Sequence, residues 1–145
     1  HIGNCYFRLE RYQDALTFLL ESREKGNSSK ENASHIGNCY FKLAEYEKGI
    51  SEYERAIELA KNERFNINWM RAIDYALEDA FGLLNRAKET TQSPIYSNLL
   101  RRFQMLYKNF TDFWNANDPS AHYFRLNNSI GAHTDGSGNA IKSIS

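Results

Sequence analysis

The sequence predicts an all-α protein: a right-handed helical solenoid of helix-turn-helix units, with two longer capping helices and an irregular C-terminal tail. Three observations predict it. The heptapeptide HIGNCYF stands at residue 1 and again at residue 35, a return distance of 34 residues. Within each copy the apolar residues recur at i, i+4 and i+7, the spacing of a buried helical stripe. Between the copies lie residues that stop one helix and start the next.

In the first copy Ile2, Tyr6 and Leu9 share one face, as Ile36, Tyr40 and Leu43 do in the second. The match runs on past the heptapeptide: Arg8-Leu9-Glu10-Arg11-Tyr12 aligns with Lys42-Leu43-Ala44-Glu45-Tyr46, and Ala15-Leu16 with Gly49-Ile50. Gly3 and Gly37 each cost a helix about 1 kcal/mol, a cost that makes sense where a neighbouring helix must come close. Ala15 and Gly49 are the small residues expected on that neighbour, so Gly37 and Gly49 are expected at a close crossing. Gly26-Asn27 suits the left-handed residue that ends a helix, and Ser28 with Glu31 is expected to cap the next one.

A helical repeat of this period resembles the tetratricopeptide repeat. Ile2-Gly3 and Ile36-Gly37 fill its Leu-Gly place, Tyr6 and Tyr40 its Tyr place, and Ala15 and Gly49 its first Ala place. Leu19 and Tyr53 take the Phe place, Ser22 and Ala56 the second Ala place. Ala33 replaces the usual Trp, and Asn27 and Lys61 the usual Pro. The resemblance implies that one unit cannot bury its apolar face alone and must stack on the next. Residues 1–63 are therefore expected to hold two repeats, the first truncated at its N-terminus.

The register fails beyond Glu63, where Arg71 falls at the Gly place. Residues 64–115 instead read as two longer helices that cover the open end. The first is expected from about Ile67 to Lys88, with Met70, Ile73, Leu77, Ala80 and Leu84 inward. Ser93-Pro94 starts the second, with Ile95, Leu99, Phe103, Leu106, Phe110 and Phe113 as its apolar side, and Asp118-Pro119 stops it. Residues 116–145, rich in Asn, Ser and Gly, are expected to be an irregular tail or a linker to a further domain. The chain begins without Met inside a patterned segment, as a piece of a longer protein would.

Lys plus Arg number 18 and Asp plus Glu number 18, so no global field holds a nucleic acid or an anionic membrane. No apolar run reaches the roughly 20 residues of a membrane span. Cys5 and Cys39, at equivalent places of neighbouring repeats, read as reduced, buried apolar residues, which fits a cytoplasmic setting. Four Asn-x-Ser/Thr sequons, at Asn27, Asn32, Asn109 and Asn127, are attributed to an Asn-rich composition. Trp69 and Trp114 are expected to pack at helix ends.

The resemblance implies an extended peptide bound along the concave face of each repeat's first helix. Asn4 and Arg8 point away from the first apolar stripe, and Ser34, Asn38 and Lys42 from the second, while His35 and Phe41 border that face. An Asn amide can donate to and accept from a peptide backbone, and Arg8 and Lys42 can attract carboxylates. These seven are the candidate peptide-binding residues. The expected function is a non-catalytic protein-binding scaffold or adaptor. Its rivals are the helical arm of a larger enzyme, such as a glycosyltransferase or hydroxylase, and self-association through the exposed first helix. No catalytic residue, metal or cofactor is expected. His122, and His133 with Asp135, form a weak metal signal, and Asp135 to Asn139 lacks the Gly and Glu a calcium loop needs further on.

Overall fold

The computed structural model describes residues 11–118. They form five helices: α1 (Tyr12–Glu24), α2 (Lys30–Lys42), α3 (Tyr46–Lys61), α4 (Ile67–Thr91) and α5 (Pro94–Asn117). No strand occurs among the described residues.

The helix boundaries follow from cap chemistry. After α1, Gly26 adopts φ +111°, a left-handed conformation that costs a residue without Cβ nothing. Gly26 N–H then reaches Arg23 O at 3.0 Å and Asn27 N–H reaches Ser22 O at 3.0 Å, the paired bonds of a Schellman ending. The next start differs from expectation by one residue. Ser29, rather than Ser28, is the N-cap of α2, and its hydroxyl accepts from Asn32 N–H at 3.1 Å instead of forming a box with Glu31. The Ser29 hydroxyl in turn donates to Asn27 Oδ1 at 2.8 Å, a second bond that holds Ser29 at the cap position. Glu31 pairs with Lys30 at 3.0 Å instead.

The 34-residue period is visible in the backbone. Arg11, before α1, has φ −99° and ψ 63°, and its equivalent Glu45, before α3, has φ −97° and ψ 69°. Neither caps with its side chain. Between α2 and α3 the chain turns through Ala44 at φ 63°, closed by Glu45 N–H to Tyr40 O at 2.8 Å. Asn66 caps α4, accepting from Trp69 N–H at 3.1 Å. That helix runs to Thr91, beyond the expected Lys88, and ends at Gln92 in the left-handed region. Ser93 and Pro94 start α5 as anticipated. Helix α5 reaches Asn117, so Ala116 and Asn117 are helical rather than part of an irregular tail.

Helix α2 lies at the centre, packed on α1, α3 and α4, while α5 packs on α3 and α4. Its two sides are buried differently. Ile36 and Cys39 join Ala15, Leu16 and Leu19 of α1 in one apolar cluster. Ala33 and Phe41 join the larger cluster of α3, α4 and α5. Met70, Ile73, Leu77, Ala80 and Leu84 are all buried in that cluster, as are Leu99, Phe103, Leu106 and Phe110. Ile95, expected inward, is 56% exposed, and in the same turn it is Tyr96 that packs inward, against Tyr46 at a 6.0 Å centroid distance. Trp69 and Trp114 are buried near helix ends. Arg71, which broke the repeat register, is exposed.

Polar links tie the layers. Arg23 of α1 holds Glu52 of α3 through two hydrogen bonds, at 3.0 and 2.5 Å, and that bidentate contact raises the guanidinium pKa against the opposing effect of burial. Lys30 bonds Glu63 at 2.7 Å and lies over the Trp69 ring at 5.4 Å. Inside the α4–α5 pair, the Tyr107 hydroxyl donates to buried Asp74 at 2.7 Å.

Candidate functional site

The small residues of α2 and α3 determine what stands above them. A Cβ on Gly49 would lie 3.3 Å from Gly37 O and would collide with the Phe41 ring, 2.6 Å from its Cε1. A Cβ on Gly37 would lie 2.9 Å from Cε1 of Tyr53. Helices α2 and α3 therefore cross closely at these glycines, and the Tyr53 ring lies against the bare backbone of Gly37. From there its hydroxyl donates a short hydrogen bond to Asn38 Oδ1. Burial, with Asp79 and Cys39 nearby, pushes the Tyr53 phenol pKa up, so it remains a donor at neutral pH.

This bond fixes the chemistry of Asn38. Its carbonyl is taken by Tyr53, while its amide nitrogen bonds no described residue. Asn38 thus offers two N–H donors to a ligand.

Asn38 lies in a cleft of about 350 Å³ between α2 and α4. The buried rings of Phe41 and Tyr53, with Ala80, form its floor. Tyr12, His35 and Lys42 line one side, and Tyr75, Ala76, Asp79 and Leu83 of α4 the other. Ala76 and Ala80, one turn apart, leave the space that larger residues would fill. Lys42 is exposed and its ammonium lies 5.9 Å from the Tyr12 ring centroid. His35 is partly buried, which lowers its pKa despite the opposing pull of Glu31. Its imidazole is therefore neutral at pH 7.

Of the seven candidate residues, the structure brings His35, Asn38, Phe41 and Lys42 together at the cleft. Phe41 is a floor residue, 2% exposed and packed on Tyr46, Tyr53 and Phe103, rather than a border residue. Ser34 is a correction. It does not point outward but is buried, and its hydroxyl donates to Glu31 O at 2.8 Å, because α2 is covered on two sides. Asn4 and Arg8 lie outside the described residues, as do Cys5, His122, Asn127, His133 and Asp135.

The α4 wall escaped the sequence reading, along with Tyr12. A signal for it exists: Ala76 and Leu83, seven residues apart, share one helical face beside the core stripe.

Elsewhere the polar and reactive groups serve the fold. Cys39 is buried and free, and burial pushes its thiol pKa up to about 12, which leaves it an inert core residue. Three sequon amides are engaged internally. Asn27 bonds Ser22, Asn32 bonds Leu19 O and Asn27 O, and Asn109 accepts from Lys61. Among the described residues no group of three or more His, Cys, Asp or Glu could hold a metal, and no helix is long and apolar enough to cross a membrane.

Residues 1–56 match the family model described as "Anaphase-promoting complex, cyclosome, subunit 3", a tetratricopeptide-type repeat family. This segment is similar to tetratricopeptide-type repeats. The match takes in α1, α2 and the start of α3, and with them Gly37, Asn38, Lys42 and Gly49. No curated protein matches the chain. Repeats of this type generally mediate protein–protein interactions and are typically non-catalytic.

Proposed function

We propose that the chain is a non-catalytic protein- or peptide-binding scaffold or adaptor whose binding face is the cleft between α2 and α4. In this reading residues 1–63 form two repeats of a right-handed solenoid, residues 64–115 cap it, and residues 116–145 are a tail or linker. The cleft then belongs to the concave side, where first helices of successive units face a ligand. One observation carries the proposal: the Tyr53 hydroxyl bond holds Asn38 with its donors free beside an aromatic floor. An extended peptide presents backbone carbonyls that such donors can satisfy. Lys42 meets an acidic side chain or a C-terminus. Asn4 and Arg8 stand 34 residues before Asn38 and Lys42 and serve the same roles in the first repeat. Protonated, free Cys39 fits a reducing, cytoplasmic setting.

The test is selection of random linear peptides, displayed on phage, against immobilised protein and against Ala76→Trp, which fills the cleft with an indole. Enrichment on wild type that disappears with Ala76→Trp supports the reading. Equal enrichment on both, or none on wild type, overturns it. A melting curve checks that Ala76→Trp folds, and Asn38→Asp serves as the second blocking variant.

A further inference from the structure

Resting on the peptide-binding reading above, we propose that the occupant of the cleft is an internal stretch of extended peptide with one large apolar side chain. An acidic residue flanks that side chain toward Lys42, and a basic residue flanks it toward Asp79. The cleft's size sets the first requirement. About 350 Å³ is near the lower end of ligand pockets, room for one large side chain and its backbone rather than for a folded element. Its floor of Phe41 and Tyr53 is apolar and buried, and above it Tyr75 is 62% exposed, a large aromatic surface that an anchored side chain would cover.

The charges set the second. Lys42 on α2 and Asp79 on α4 line opposite walls, and neither forms an ion pair or hydrogen bond with a described residue. Two unpaired charges of opposite sign across one apolar cleft match a ligand carrying the reverse pair, and they disfavour a ligand of either single sign. The donor-only state of Asn38 sets the third: it reads a backbone carbonyl between the two flanking charges. A chain terminus fits this arrangement less well than an internal segment, since a terminal carboxylate in the cleft would find one cation, Lys42, and face Asp79.

The experiment repeats the phage selection on wild type and on the charge-reversed double variant Lys42→Glu/Asp79→Lys. Wild type is expected to enrich peptides with acid and base on opposite sides of a large apolar residue. The double variant is expected to enrich the opposite order, and to bind wild-type-selected peptides about tenfold more weakly in low salt, a difference that shrinks as salt is added. Peptides that are enriched on wild type but neutral, or that bind the double variant equally well, overturn this inference while the peptide-binding reading stands. Absence of any enrichment on wild type defeats both. Both residues are exposed, so the double variant should keep the wild-type melting temperature. If it does not, Lys42→Gln and Asp79→Asn, made singly, carry the same comparison.

Discussion

Two helix pairs of this molecule, α2 with α3 and α4 with α5, are assembled by opposite means. Helices α2 and α3 approach through missing side chains, at Gly37 and Gly49, with Phe41 and Tyr53 laid over the bare backbone. Helices α4 and α5 are joined through large side chains and a buried hydrogen bond from Tyr107 to Asp74. The one glycine inside that pair, Gly82, needs no such room, since a Cβ there would meet only Arg86 Nη1 at 3.6 Å. The difference teaches what each pair is for. The glycine crossing lets the Tyr53 ring lie against the α2 backbone, where its hydroxyl holds Asn38. The bulky pair supplies core volume and one wall of the cleft.

The largest effect should come where the two pairs meet. Phe103 is fully buried and touches Phe41 of the repeat at a 6.1 Å centroid distance and Phe81 of α4 at 5.9 Å. Phe103→Ala should cost about 3–5 kcal/mol in urea unfolding and shift both pairs in one transition. Two separate transitions would show that they fold as independent units.

Glycine substitutions should then separate the pairs. Gly37→Leu and Gly49→Leu should each cost about 1–3 kcal/mol by overpacking against Tyr53 and Phe41. Gly82→Ala should instead gain up to about 1 kcal/mol from helix propensity, measured as a raised urea midpoint. A loss at Gly82 comparable to that at Gly37 would erase the contrast.

Much of this fold was legible because it rests on local chemistry repeated 34 residues apart. The left-handed ending at Gly26, the Ser93-Pro94 start and the two crossing glycines each have a cause within a few residues. What was not legible depends on how many neighbours a helix has. Ser34 reads as outward on a helix with one buried stripe, but α2 is packed on three helices and its hydroxyl turns back to Glu31. The role of Asn38 was half visible: its place on the open face follows from spacing, whereas the loss of its carbonyl to Tyr53 requires knowing where α3 crosses. For the same reason α4 read as a cap with one inward stripe, and Tyr75, Ala76 and Asp79 passed unnoticed as a wall.

Smaller effects sharpen the comparison. Ala44 holds φ 63° between α2 and α3, so Ala44→Gly should relieve strain and raise stability by about 1 kcal/mol in urea titration. No change would mean that the turn relaxes without cost. At His35 burial lowers the pKa below its ordinary value, so the unfolded chain takes up a proton before the folded one does. Stability at this site is present above the unfolded histidine range near 6.5 and is lost as pH falls below it. His35→Gln should flatten that part of the curve between pH 7 and 5, and an unchanged slope would assign the loss to other groups.

The measurement closest to the central claim is calorimetric titration of a phage-selected peptide into wild type and into Asn38→Asp. Asp keeps an oxygen for the Tyr53 hydroxyl and removes both amide donors, whereas Ala would orphan that hydroxyl and confuse stability with binding. The account predicts a melting temperature near that of wild type and an affinity lower by about 5- to 150-fold, the equivalent of roughly 1–3 kcal/mol. Equal affinity for the two proteins would contradict it, because the donors of Asn38 would then touch no ligand.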